Sequence, residues 1–162
     1  MEARAVTLKV NGRRHVMALP PNVTLLHALR DLGYTDVKNG CEKGDCGACA
    51  VLLDGVAVNS CLVLAWQAEG AEITTNAGLG SGNQPHPLQE AFADSGAVQC
   101  GYCTPGFIIA AQSLLAQNPH PTEEEIRQAI SGNLCRCTGY SHIVAAIQMA
   151  AEKLATGQGD QR

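Results

Sequence analysis

The chain has 162 residues, 46% hydrophobic but only 4% aromatic, and a net charge of −4. That length holds one ordinary domain or two small ones, and any core must be built from Ala, Val, Leu and Ile. The acidic balance argues against nucleic acid or an anionic membrane as partner, and no apolar run approaches the ~18 residues of a membrane span.

The first residues, Met1-Glu2-Ala3-Arg4-Ala5-Val6, lack the basic region and apolar stretch of a secretory signal, so a cytoplasmic protein is expected. Val6, Leu8 and Val10 alternate with Thr7 and Lys9, which predicts a strand. Asn11-Gly12 follows, the preferred pair for a type I′ hairpin turn, and Arg13 to Leu19 reads as the return strand. After Pro20-Pro21-Asn22, Thr24 can cap a short helix carrying Leu25, Leu26, Leu29 and Leu32, stopped at Gly33. A second hairpin is predicted from Ala50–Leu53, a turn at Asp54-Gly55, and Val56–Val58; Glu72 to Thr75 reads as a last short strand. Asn76 to about Pro87 is rich in Gly, Asn and Ser and reads as a linker.

The remainder reads as helix. Leu88, Ala91 and Phe92 mark a first one. Thr104 then reads as an N-cap with Pro105 at the first helical position, and Phe107, Ile108, Ala111, Leu114 and Leu115 form an apolar stripe ending at Asn118-Pro119. Thr122 with Glu125 makes a capping box for a helix carrying Ile126, Ala129 and Ile130, which Gly132 stops. A final helix carries Ile143, Ala146, Ile147 and Ala150, and the polar tail from Thr156 is expected to fray. The expected division is 1–76, mixed α/β; 77–87, linker; 88–155, four helices; and 156–162, tail. Both halves sit near the lower size limit for independent stability, where bound metal adds folding energy.

Eight cysteines need a reason. The cytosol keeps thiols reduced, so disulfides explain them poorly. Cys41, Cys46, Cys49 and Cys61 follow the C-x4-C-x2-C…C spacing of plant-type [2Fe–2S] proteins. Three thiolates from one loop wrap a compact cluster, and a fourth closes it. Gly40, Gly44 and Gly47 let the backbone bring N–H groups close to sulfur. Zinc, which favours separated C-x2-C knuckles, fits this spacing less well. The second set is Cys100 and Cys103, then Cys135 and Cys137. Cysteines at i and i+2 diverge on a helix or strand, so Cys135 and Cys137 must share a loop, which Gly132 and Gly139 permit. Cys100 and Cys103 precede a helix, whose dipole favours thiolate. Taken alone, this set suits either an iron–sulfur cluster or zinc.

Three strings carry a resemblance. Asn39-Gly40-Cys41-Glu42-Lys43-Gly44-Asp45-Cys46-Gly47-Ala48-Cys49, Gln99-Cys100-Gly101-Tyr102-Cys103-Thr104-Pro105-Gly106 and Gly132-Asn133-Leu134-Cys135-Arg136-Cys137-Thr138-Gly139-Tyr140 closely resemble the iron–sulfur small subunit of the xanthine oxidase family of molybdenum hydroxylases. The resemblance runs from the first strand to about Lys153, with no departure at a cysteine. It implies an α+β fold: a plant-ferredoxin-like β-grasp domain (1–76) followed by a four-helix [2Fe–2S]-binding domain (88–155). It implies that Cys41, Cys46, Cys49 and Cys61 hold the more exposed cluster, facing a flavin subunit. Cys100, Cys103, Cys135 and Cys137 would hold the buried cluster beside the molybdopterin, with Gln99 and Cys137 against the pterin. Electrons would run from molybdenum through both clusters to FAD. Molybdopterin and FAD would then lie in separate large and medium subunits, giving an αβγ heterotrimer, single or doubled. The family's substrates include N-heterocycles, purines, aldehydes and carbon monoxide; the string Gly96-Ala97-Val98-Gln99 leans toward the first two.

Other residues read more plainly. Arg136, between two ligands, suits either offsetting cluster charge or a solvated or interface position. Tyr102 reads as packing rather than electron transfer. Trp66 reads as core or subunit interface. His27, His86, His120 and His142 lack metal-ligand spacing, and no catalytic triad, phosphate loop or dinucleotide fingerprint appears, so no catalytic residue is expected here. The competing readings are a free-standing two-cluster ferredoxin-like carrier and a zinc-stabilised interaction module.

Overall fold

The structure is a computed structural model that describes residues 2–81 and 83–157. Among the described residues, five strands and five α-helices follow one another in chain order. The strands are β1 (Arg4–Val10), β2 (Arg13–Leu19), β3 (Ala50–Leu53), β4 (Val56–Asn59) and β5 (Glu72–Thr74). The helices are α1 (Leu25–Asp31), α2 (Pro87–Asp94), α3 (Thr104–Gln117), α4 (Glu123–Ala129) and α5 (Ser141–Ala155).

Both hairpins turn where the sequence predicts. Asn11 and Gly12 take φ of 50° and 74°, and Asp54 and Gly55 take 49° and 85°, the double positive φ of a type I′ turn. The sheet order is β2-β1-β5-β3-β4, with β1 parallel to β5 and every other pairing antiparallel. Thr24 caps α1 through the His27 amide. That helix buries Leu25, Leu26, Ala28 and Leu29 against Val6, Leu8, Val10, Val51 and Ile73 of the sheet. A mixed sheet grasping one helix is the β-grasp arrangement.

The helical half has its own core, in which Leu88, Phe92, Phe107, Ile126, Ile143 and Ile147 are essentially fully buried. Thr122 and Glu125 form the expected capping box. Two starts differ from expectation. Cys103, not Thr104, is the N-cap of α3; Thr104 is already helical, with no side-chain cap. His86 caps α2: its Nδ1 accepts from the Leu88 N–H, and Gln89 accepts the His86 N–H in return.

The segment read as linker carries specific contacts. Asn76–Gly78 form a 3-10 turn, Ala77 N–H donates to Asp36, and the Gln89 amide donates to the Asn76 carbonyl. The tail residues 158–162 lie outside the described residues. The halves also pack directly: Ile109 of α3 is buried against Ala50 and Leu52, and the Ser113 hydroxyl accepts the Ala57 N–H.

Candidate metal centres

All eight cysteines are free thiols, and they gather into the two sets that the spacing predicts. Cys41, Cys46 and Cys49 lie on the loop entering β3, which is folded back on itself by positive φ at Glu42, Gly44 and Gly47. The Asn39 amide holds Glu42 in its turn at 2.6 Å, and the Asn59 amide donates to the Gly44 carbonyl at 3.0 Å. Cys61 arrives on a 3-10 turn, Ser60–Leu62, just after β4. The buried Ser60 hydroxyl ties that turn to the Cys49 carbonyl at 2.7 Å.

Backbone donors tune this set. The Lys43 N–H, 3.4 Å from Cys41 Sγ, is the main reason that thiol falls to about 7, outweighing burial. Burial and the neighbouring Cys49 sulfur push Cys61 up to about 11, and burial likewise raises Cys46.

The second set comes from two loops. Cys100 and Cys103 precede α3, and Cys135 and Cys137 lie between α4 and α5. The Cys100 and Cys137 sulfurs stand 3.7 Å apart. Burial and the Cys135 sulfur push Cys103 up to about 12. Burial also acts against Cys135, but the Thr138 hydroxyl and the Thr138 and Cys137 N–H groups overcome it and bring that thiol to about 7.

The sulfurs pair two by two. The strongest influence of one sulfur on another runs within pairs: Cys41 with Cys46 and Cys61 with Cys49, then Cys137 with Cys100, which are in direct contact, and Cys103 with Cys135. Across pairs a charge effect is felt, as between Cys46 and Cys49 or Cys137 and Cys135. Thiolates bound about 2.3 Å from a tetrahedral metal lie about 3.8 Å apart, close to the Cys100–Cys137 spacing. A single ion would need all four sulfurs that close, and among the described residues no three His, Cys, Asp or Glu side chains gather in that way. Two adjacent pairs suit a binuclear cluster, one pair to each iron. The donor chemistry therefore fits [2Fe–2S] in both sets.

Hydrogen bonds join the two cysteine sets. The Leu134 N–H donates to the Cys46 carbonyl at 3.0 Å, and the buried Asn133 amide donates to the Gly47 carbonyl at 3.1 Å. The exposed Tyr102 donates its phenol to the Asn39 carbonyl at 2.6 Å, so it is a bridge between loops rather than simple packing. Gly106 is needed here because a Cβ would stand 2.3 Å from the Gly47 carbonyl oxygen. Sequence reasoning missed Asn133, Thr138 and Tyr140; their position beside a C-x-C pair was the available signal.

The remaining candidates lie at the surface. Gln99 and Arg136 are exposed, and Arg136 lines a shallow cavity with Cys100, Tyr102, Cys103, Leu134 and Cys137. Trp66 is 40% exposed with the Arg4 guanidinium 5.1 Å above its ring, so it is not core. Among the described residues, no helix is long and apolar enough to cross a membrane.

Comparison with known proteins accounts for both halves. Residues 8–78 match the family model of a 2Fe-2S iron-sulfur cluster binding domain, and residues 75–148 match that of a [2Fe-2S] binding domain. The chain is 49% identical to the nicotinate dehydrogenase small FeS subunit of Eubacterium barkeri, over 96% of this chain and 99% of that protein. It is 46% identical to the xanthine dehydrogenase iron-sulfur-binding subunit of Escherichia coli O157:H7, over 90% and 93%. A chain of quinoline 2-oxidoreductase from Pseudomonas putida 86 superposes with a TM-score of 0.91 at 44% identity, covering 97% of this chain and 99% of that one. With two cluster-binding domains, this sheet and these cysteine pairs, the chain belongs to the iron–sulfur small subunits of the xanthine oxidase family of molybdenum hydroxylases.

Proposed function

We propose that this chain is the electron-transfer subunit of a cytoplasmic molybdenum hydroxylase, relaying electrons from a molybdopterin site in one partner subunit to FAD in another. Each [2Fe–2S] cluster supplies one-electron storage that no protein side chain offers. Cys41, Cys46, Cys49 and Cys61 hold one cluster, and Cys100, Cys103, Cys135 and Cys137 hold the other. The observation that carries this reading is the pair of hydrogen bonds that lead directly from one cysteine loop to the next, Leu134 N–H to the Cys46 carbonyl and Asn133 to the Gly47 carbonyl, beside the Cys100–Cys137 sulfur contact.

The chain's own groups fix the loops, supply N–H donors to sulfur and exclude water from Cys49 and Cys61, which are 3% and 7% exposed. The second set is open: Cys100, Cys137, Gln99 and the apolar Val98, Tyr102 and Leu134 share its exposed surroundings. That supports placing Gln99 and Cys137 against a pterin in the molybdenum subunit, with the subunit also covering the apolar side chains. The domain limits follow as 1–76 and 88–155, and partners assemble as αβγ, single or doubled. The relatives' names, nicotinate, xanthine and quinoline beside aldehyde, support a nitrogen heterocycle, a purine or an aldehyde as the substrate of the whole enzyme.

Metal and sulfide analysis of the protein purified with its partners tests the assignment. Two irons and two sulfides per cluster predict about four of each per copy of this chain, with molybdenum and flavin in the other subunits. Zinc in place of iron, or a brown chain that purifies alone as a carrier, would contradict it.

A further inference from the structure

The turn after Cys137 is strained and well braced. Gly139 and Tyr140 take φ of 68° and 71° in succession, and left-handed backbone is costly for a residue as bulky as Tyr140. The strain is held by three contacts. The Tyr140 phenol accepts the Cys135 N–H at 2.9 Å, its ring meets Phe107 edge-on at 6.0 Å between centroids, and its own N–H donates to Thr138 Oγ1 at 3.3 Å. That last bond occupies a lone pair of the Thr138 hydroxyl. The hydroxyl's proton is then free to point at Cys135 Sγ, 3.2 Å away. Among the described residues of the first set, no side-chain hydroxyl donates to a sulfur; the donors there are backbone N–H groups such as that of Lys43, 3.4 Å from Cys41 Sγ.

We propose that Thr138 sets the reduction potential of the second cluster, its hydroxyl held by the Tyr140 turn so that it donates to the Cys135 sulfur. The inference rests on Cys135 being a cluster ligand. Reduction adds one electron and one negative charge to the cluster, and a donor on sulfur stabilises the more negative state, so removing it lowers the potential. A backbone donor is removed only by proline, which would also disturb the loop, whereas this hydroxyl is removed by a near-isosteric change. Thr138 acts through the Cys135 sulfur, so it is a positioning and tuning residue rather than a catalytic one.

The test uses full-length Thr138→Val, Thr138→Ala and Thr138→Ser chains, each purified with its partner subunits. EPR followed during a dithionite titration reads the midpoint of each cluster. Val and Ala are expected to make the second cluster about tenfold harder to reduce, about 59 mV downward for one electron. The first cluster's midpoint stays put, and Ser keeps the wild-type value. Unchanged midpoints in Val and Ala with both signals intact would overturn the proposal, as would an equal shift of both clusters. Should Val fail to assemble its cluster, Ala, which leaves space rather than a methyl at the sulfur, gives the same reading. Failure of the underlying assignment looks different, because Cys135→Ser would then leave both EPR signals in place.

Discussion

In the N-terminal half, Cys49 and Cys61 are buried beneath their own loop; in the C-terminal half, Cys100 and Cys137 lie open at the surface. The resemblance implies that the second cluster is the buried one beside the molybdopterin, so its cover would come from outside this chain. The difference is topological. The first set draws three of its four cysteines from nine consecutive residues and wraps them with glycine turns. The second joins two loops separated by thirty-one residues, and each loop sits at a helix end with one side facing outward. One half thus carries its own cover, while the other, on the reading proposed above, receives it from the molybdenum subunit. The tuning differs in the same way: backbone N–H groups dominate at Cys41, and a threonine hydroxyl joins them at Cys135.

The largest test of this contrast removes one ligand from each half. Cys49→Ser should cost one of the two EPR signals and about half of the iron, leaving the other signal intact, and Cys103→Ser should do the reverse. Simultaneous loss of both signals in either variant would show that the halves do not hold their clusters separately. Intermediate in size is the joint. Gly106→Ala drives a Cβ to 2.3 Å from the Gly47 carbonyl oxygen, so despite a better helix former the chain should lose about 1–2 kcal/mol in denaturant melts. A variant as stable as wild type would mean that the close approach does not position the halves.

The smallest effect is confined to the helical half. Burial holds His86 below its ordinary value of 6.5, and its neutral Nδ1 caps α2. A histidine depressed in the folded state binds protons less readily there than when unfolded. Its contribution is therefore complete above pH 6.5 and is lost progressively as pH falls toward the folded value. His86→Ala should abolish that part of the pH dependence, and loss of the cap itself should cost about 1 kcal/mol at neutral pH. A His86→Ala melt with the wild-type slope below pH 6.5 would remove the cap from the account.

Much of this was legible because the signals were local. Asn11-Gly12, Asp54-Gly55 and Thr122 with Glu125 act within four residues, and they formed as read. The cysteine spacing likewise encodes loop geometry over short stretches. What escaped depends on distant partners. Thr104 looks like a cap, but the chain continues helical through it because Cys103 takes the cap position beside Cys135. Asn133 reads as part of a loop until Gly47 stands next to it, and Tyr102 has no visible partner until the halves dock. A left-handed Tyr140 is not foreseeable from propensity, because only tertiary contacts with Cys135, Thr138 and Phe107 repay its strain.

The most direct test of the electron relay is low-temperature EPR of the dithionite-reduced protein, purified with its partners attached. Two distinct S = ½ [2Fe–2S] signals, accompanied by a Mo(V) signal from a co-purifying subunit, are the predicted result. One signal, or none with zinc bound, would mean that Cys100, Cys103, Cys135 and Cys137 hold no cluster, and the relay would fall with them.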